Sequence, residues 1–435
     1  MTVKRIFAFL LATFVTPCLF SCTVTRQSLQ ENVEPSQPED TISFRITWKD
    51  YSGRGQAISK IVDVYNQQSL EDATAQVVSG DEDLAAIQTL LETEQDMVFV
   101  LPYRYVAYFG SLGLLTDLTG SFSQEESAFY PEVWDLGKAD GVTYGIPWLG
   151  HSMCLLYNKT LLKKANVDPA SITSLDALAD AMTIIEEKTE AKGIGLVGAD
   201  SNDVSWMVNQ FIYGFGGKLV NEAGDRVAIN SPESIAAIEY YRDVLGAHAP
   251  SSWTIDTGVE VLEHFLKQEV AFEIQGIWGV TDVQKNGSPF EVGVISLNQI
   301  GIRSEIGPMM LAIPKNTSDE TKAQAKEFIR YMISMDAQEA ILNGEFSPEH
   351  DAYYPFRTPI RRDMANTQIL RLNPVYQVFI EGFENPSIDV PVPKWQTIKK
   401  ELYEPGLHSV MIGAISVETF LAMIETNGNQ ILNGE

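Results

Sequence analysis

Bulky aromatic residues recur beside polar ones where turns and loops are expected: Trp48 and Tyr51, Tyr103 and Tyr105, Tyr144 and Trp148, then Trp206, Trp253, Trp278 and Trp395. That pairing suits recognition of an amphipathic solute. A sugar offers apolar C–H faces that a ring can cover, and a rim of hydroxyls that Asp, Glu, Asn, Arg and His can hydrogen-bond. Leaving such a partner unpaired costs ~1–3 kcal/mol, which is what makes the site discriminate. Ligand sites in open α/β sheets lie at strand carboxyl ends, where these rings fall. The same residues also suit core or interdomain packing, and residue type alone does not separate the two.

Catalytic patterns fare worse. Gly193-Ile194-Gly195-Leu196-Val197-Gly198 matches the spacing of a dinucleotide fingerprint, but that turn must follow a strand and open a helix. Here a helix precedes it and a strand runs through its middle. The sequence has no GxSxG elbow, no Walker loop and no HExxH. His151, His248, His264, His350 and His408 lack the spacing of a metal cluster. Glu260 and Glu263-His264 share a helix, which reads as a solvated face. Nothing selects a pair among 58 acidic residues for general acid–base work. The expectation is a protein that is not an enzyme and carries neither cofactor nor metal.

The elements that must position the aromatics follow from periodicity. Ile42, Phe44, Ile46 and Trp48 alternate as in a strand; Ile58, Ile61, Val62 and Tyr65 follow at helical spacing after the Gly53-Arg54-Gly55 turn. A strand is expected at 75–78, a helix at 84–92, and a strand buried on both faces at Met97-Val98-Phe99-Val100-Leu101. Strand alternating with helix implies parallel pairing and an α/β domain. Further on, helices are predicted over Leu175–Lys188, 206–213 and 320–334, and from Ser231-Pro232-Glu233, where serine caps and proline starts the helix. That last helix carries Ile235, Ile238, Tyr241 and Leu245 in its stripe. Strands are predicted at 193–197, 269–274, 293–297 and 309–313.

The chain has 435 residues, 45% of them hydrophobic, with mean hydropathy −0.05 and net charge −27. That length exceeds one compact core, so two domains are expected, and the charge repels nucleic acid and anionic lipid at long range. Lys4-Arg5, an apolar run over residues 6–20 and Leu19-Phe20-Ser21-Cys22 have the layout of a secretory signal. The ending resembles a bacterial lipobox, which implies cleavage before Cys22, lipidation of that cysteine and an anchor outside the cytoplasmic membrane. An ordinary signal cleaved elsewhere, or an uncleaved anchor, are the alternatives. Residues 22–40 are polar with two prolines and read as a flexible tether. Cys18 leaves with the signal, so Cys154 remains as a buried small hydrophobe without a disulfide partner.

Tyr144-Gly145-Ile146-Pro147-Trp148, followed by Leu155-Leu156-Tyr157-Asn158-Lys159, forms a recognisable block. Trp206 with Gly216-Gly217 comes next, then Val270-Ala271-Phe272 with Gly276-Ile277-Trp278. Ala325-Lys326-Glu327-Phe328-Ile329 and Met335-Asp336-Ala337-Gln338 complete the series. In this order the chain resembles the extracellular solute-binding proteins of ABC importers, in the group that includes maltose-binding protein. The resemblance covers nearly the whole chain after the signal.

It implies an α/β, two-lobed periplasmic-binding-protein fold of type II, with a hinge of several crossing segments. The lobes are expected at 41–148 with 299–345, and at 149–298 with 346–435; residues 1–21 are the signal and 22–40 the tether. It also implies hinge closure over a ligand, docking on membrane permease subunits, a monomer, and extracytoplasmic attachment through Cys22. Thr23 after that cysteine would permit outer-membrane delivery.

Position by position, the resemblance points to Trp48, Asp50 and Tyr51 after the first strand, and to Tyr103 and Arg104 after the third. It adds Trp148 and His151 around the Tyr144 block, Trp206 and Trp278 as stacking rings, and Arg357 near Thr358-Pro359-Ile360-Arg361. Two features depart from the family: Ile306-Gly307-Pro308 where relatives often pair glycines, and the cations Arg104, His151 and Arg357. Those cations leave an acidic or phosphorylated ligand open beside a neutral sugar. Other readings are a polyamine, glycerol phosphate or organic anion as cargo, and a sensor or adhesin without a transporter. A secreted glycan-acting enzyme would need a carboxylate pair about 5–5.5 or 6.5–9.5 Å apart.

Overall fold

The computed structural model describes residues 41–68, 74–79, 84–94 and 97–434. The expected signal, the Cys22 lipidation site and the tether lie outside these residues. Contacts divide the chain into Met1–Glu39 and Asp40–Glu435, and only the second unit is treated below.

Alternation builds the first sheet. In β1 (Thr41–Ile46) the residues Ile42, Phe44 and Ile46 are fully buried, and Trp48 lies just past the strand. Then come α1 (Gly53–Gln68), burying Ile58, Ile61, Val62 and Tyr65, β2 (Thr74–Ser79), α2 (Leu84–Thr93), β3 (Met97–Pro102), buried throughout, and α3 (Tyr103–Ser111). β1 pairs in parallel with both β2 and β3. The Met309–Ala312 strand lies antiparallel to β3 and to Ile146–Gly150, and Thr358–Pro359 closes the far edge of this six-stranded sheet.

The second sheet has four strands, ordered Val292–Ile295, Cys154–Asn158, Val270–Gln275 and Lys192–Gly195. Helix Leu175–Lys188 has the predicted bounds and is capped by Ser174. The helix Pro232–Glu239 begins as predicted: Ser231 Oγ accepts from the Ser234 amide at 3.2 Å. Its stripe continues into a π-helical turn, Tyr240–Leu245, which keeps Tyr241 and Leu245 buried. The strand expected at 293–297 ends at Ile295, because Leu297 enters a short 3₁₀ turn. Cys154 is buried in this sheet as a free thiol, and burial pushes its pKa up.

Two lobes thus form around two sheets, joined by crossing segments that run side by side. One spans Gly150 to Cys154, the second approaches Met309 through Ser304, Glu305 and Ile306, and the third passes Ser387. Ser152 bridges Ile306, and Glu305 bridges Ser387. The Met153 amide donates to the Glu305 carbonyl at 3.1 Å and the Ser387 amide to the Ser304 carbonyl at 2.7 Å. Satisfying backbone groups across three strands makes this junction ordered rather than a loose linker. Among the described residues no helix is long and apolar enough to cross a membrane.

Candidate functional site

The crossing segments deliver polar side chains to one place. His151 follows the strand Ile146–Gly150 directly, and its carbonyl accepts from the Gly307 amide at 3.0 Å. A Cβ at Gly307 would stand 2.0 Å from His151 Cε1, so only glycine there lets the imidazole lie flat on the neighbouring segment. His151 Nε2 is 2.9 Å from Glu305 Oε2 on that segment; with the carboxylate ionised, the imidazole is the donor. Glu305 is 3% exposed.

The third segment brings Asp389, 5% exposed. Its Oδ2 accepts from Lys399 Nζ at 3.0 Å and Gln396 Nε2 at 3.3 Å, while its buried Oδ1 has no hydrogen-bond partner among the described residues. Lys399 is buried in a π-helical turn, Lys399–Tyr403, and its Nζ is 3.9 Å from Glu404 Oε1. Burial raises the Glu404 pKa and Lys399 pulls it back. Tyr103, at the start of α3, is buried and donates its hydroxyl to the Asp389 carbonyl at 3.0 Å. Burial first, and then the charges of Asp389 and Glu305, hold that phenol well above its usual pKa, so it stays a donor.

Tyr103, His151, Glu305 and Asp389 line one cavity of about 180 Å³, together with Arg104, Asn202, Trp206, Met309 and Arg357. Two further rings stand beside it. Trp278 meets the His151 ring edge-on at 5.5 Å, and the Arg357 guanidinium lies 5.4 Å from the Trp48 ring and 5.6 Å from the Trp278 ring. Lys399 Nζ sits 5.6 Å from the Trp206 ring. Each cation–π contact is worth ~0.5–2 kcal/mol and orders both partners.

Of the residues expected from sequence, Tyr103, Arg104, His151, Trp206 and Arg357 line this cavity, and Trp48 and Trp278 adjoin it. Three are not brought there. Trp148 is fully buried beneath the first sheet, edge-on to Phe44 at 5.3 Å, so neither ring face is open to a solute. Asp50 and Tyr51 are exposed in the turn before α1: Asp50 Oδ1 accepts from the Tyr51 amide at 2.9 Å, and Tyr51 is 75% exposed. They border a separate shallow groove with Ser59 and Gln76. Trp395 is fully buried against Tyr403, and Trp253 is packed against Tyr241, both as core.

Sequence reading missed Glu305, Asp389, Lys399 and Asn202. Glu305 abuts Ile306-Gly307-Pro308, a departure already noted; Asp389 and Lys399 sit in no periodic pattern that marks them. Among the described residues no three His, Cys, Asp or Glu side chains converge as metal ligands would.

A probable ABC transporter-binding protein of Deinococcus radiodurans is 24% identical over 235 residues, covering 52% of this chain and 55% of that protein. The chain spans about half the length of this relative and of a putative periplasmic-binding protein of Escherichia coli, 48% in the latter. Among solved structures, the GacH receptor of Streptomyces glaucescens, studied with acarbose, superposes with a TM-score of 0.71 at 21% identity, covering 90% of this chain and 98% of that one. UgpB of Mycobacterium tuberculosis, in complex with glycerophosphocholine, does so with a TM-score of 0.71 at 17% identity, covering 91% and 98%. These likenesses show a shared two-lobed fold. The family model for bacterial extracellular solute-binding proteins matches residues 55–339, more than half of the sequence, and the chain belongs to that family.

Proposed function

We propose that this chain is the extracytoplasmic substrate-binding component of an ABC importer, anchored through a lipid on Cys22 and acting as a monomer. It holds a sugar or similarly small polar solute at the junction of its lobes and hands it to membrane permease subunits. It catalyses nothing itself. The lobes we assign are 41–148 with 299–345, and 149–298 with 346–435, the Thr358–Pro359 strand returning to the first sheet.

One observation carries this reading: His151, Glu305 and Asp389 come from the three crossing segments and line a single cavity beside Trp48, Trp206 and Trp278. A solute bound there touches the segments that must bend when the lobes move. Ligand then favours the closed state through the contacts it gains only there. The tryptophans supply apolar faces, and Arg104, His151 and Arg357 supply polar partners. The volume of about 180 Å³ lies below the ~300–1,000 Å³ of drug-sized ligand pockets, which favours a monosaccharide-sized cargo over a long oligosaccharide in this conformation. The carbohydrate reading also draws support from the GacH receptor's complex with acarbose, and the non-sugar reading from UgpB's complex with glycerophosphocholine.

A thermal-shift screen of the purified chain against sugars, oligosaccharides, polyamines and small anions tests this. A solute at 100 times its dissociation constant adds ~2.7 kcal/mol of stability. A shift with one solute class supports the transport reading and names the cargo. Release of product from a glycan in the same samples would replace it with the enzyme reading.

A further inference from the structure

Two rings at the cavity rest on bare backbone. Gly276 follows the strand Val270–Gln275 and stands at the N-cap of the helix Ile277–Lys285. A Cβ on it would lie 2.3 Å from Trp278 Cζ3, 2.4 Å from Cη2 and 2.6 Å from Cε3. Those are atoms of the six-membered ring, so the indole folds back over the Gly276 Cα. Gly307 stands in the same relation to His151, with a Cβ 2.0 Å from Cε1, 2.6 Å from Nδ1 and 2.7 Å from Nε2. Real Cβ atoms essentially never come within 3.0 Å of such a neighbour.

Backbone torsion does not call for glycine at either place. Gly276 has φ −76° and ψ −179°, which any L-residue adopts, and neither glycine is among those with positive φ. Helix capping does not favour it either. Ser, Asn or Asp at an N-cap would accept from a free amide of the first turn, and Gly276 has no side chain to do so. What excludes a side chain is the ring on top. Gly276 is itself buried, so a methyl there has no outlet to solvent.

The two seats face each other through their rings. Gly276 extends a strand of the second sheet, and Gly307 leads into the Met309–Ala312 strand of the first. Trp278 and His151 meet edge-on at 5.5 Å, and His151 lies 5.8 Å from the Trp206 ring. The position of each ring beside the cavity is thus set by close packing from behind, where one added methyl forces a side chain off its rotamer.

We propose that Gly276 is a positioning residue of the solute site: its bare Cα seats the Trp278 indole beside the cavity, and Gly307 seats His151 opposite it. The seating is a matter of packing; that it serves binding rests on the solute-binding reading above. A side chain at either glycine acts through the ring it displaces, not through a contact of its own with a solute.

Fluorine NMR of the full-length chain labelled with 5-fluorotryptophan tests the seat without a ligand. The sequence has seven tryptophans, and Trp278→Phe assigns the resonance in question. Gly276→Ala should move that resonance and leave those of the core rings Trp134, Trp148 and Trp395 in place. It should also lower the melting temperature, but not when added to Trp278→Ala, where the ring that the methyl strikes is gone. Isothermal titration with D-glucose, maltose and glycerol 3-phosphate then tests the role in binding. For the probe bound most tightly, Gly276→Ala should weaken affinity by ~10-fold, and by less than ~2-fold when added to Trp278→Ala. An unmoved Trp278 resonance overturns the inference. So does an equal loss of affinity or of melting temperature in the two backgrounds, since a merely structural glycine behaves that way. Wild type that binds none of these probes counts against the solute-binding reading instead, and the resonance and the melting temperatures still uphold or overturn the seat.

Discussion

Glu273 offers a test of the electrostatics with the sign worked out. It sits in the Val270–Gln275 strand between Leu156 and Gly195, fully buried, and neither carboxyl oxygen has a hydrogen-bond partner among the described residues. Burial, and secondarily the charge of Asp282, pushes its pKa well above the usual carboxylate value. The folded chain thus keeps this proton at pH values where the unfolded chain, with a glutamate near ~4.3, has released it. Between the two values the folded state binds one more proton than the unfolded, so stability falls as pH rises, by ~1.4 kcal/mol per pH unit. The slope vanishes once the folded pKa is passed. Glu273→Gln removes the titration. Its buried amide still costs ~1–3 kcal/mol, but equally at every pH, so the readout is the slope and not the intercept. Urea unfolding of both proteins at about pH 5, 6 and 7, followed by fluorescence and circular dichroism, should show the variant gaining on wild type as pH rises above the unfolded value, by up to ~1.4 kcal/mol per unit until the folded pKa is passed. Parallel curves would mean Glu273 does not change its protonation on unfolding. A variant that loses ground as pH rises would mean the carboxylate is ionised and partnered in the fold. Either result refutes the reasoning.

Three further outcomes are expected. Trp278→Ala should weaken binding of the cargo by ~1.5–3 kcal/mol, about 10- to 100-fold by titration calorimetry, with the melting temperature nearly preserved because the ring is only partly buried. Lys399→Met strands Asp389 as a buried charge without its 3.0 Å partner and should cost ~3–5 kcal/mol in chemical denaturation, most of it recovered by adding Asp389→Leu. Trp148→Ala should cost ~3–5 kcal/mol of stability yet leave the affinity of the folded protein within ~2-fold, since the ring packs on Phe44 and not on the cavity; a large affinity loss would return Trp148 to the site.

Local signals were legible wherever the physics is local. Alternation at Ile42, Phe44 and Ile46 and the 3.6-residue stripe of Ile58, Ile61, Val62 and Tyr65 need only one buried face, and both elements formed there. Ser231 caps its helix because capping involves residues three apart. The glycines at 193–198 are not a phosphate cradle because the strand Lys192–Gly195 runs through them, as their flanks indicated.

The site obeyed a different logic. Trp148 and Trp278 are the same residue type, one inside the strand Ile146–Gly150 and the other just past the strand Val270–Gln275, yet one is sealed against Phe44 and the other borders the cavity. Which ring stays open depends on what other segments bring against it, and no window of sequence contains that. His151 meets Glu305 across 154 residues, and Tyr103 meets Asp389 across 286. The sequence by itself determined the alternation of strands and helices, the family and most of the rings, because those are properties of spacing and order. Only the tertiary structure decided that Glu305, Asp389 and Lys399 belong to the site, because three crossing segments, far apart in the chain, must lie side by side before their charges share one cavity.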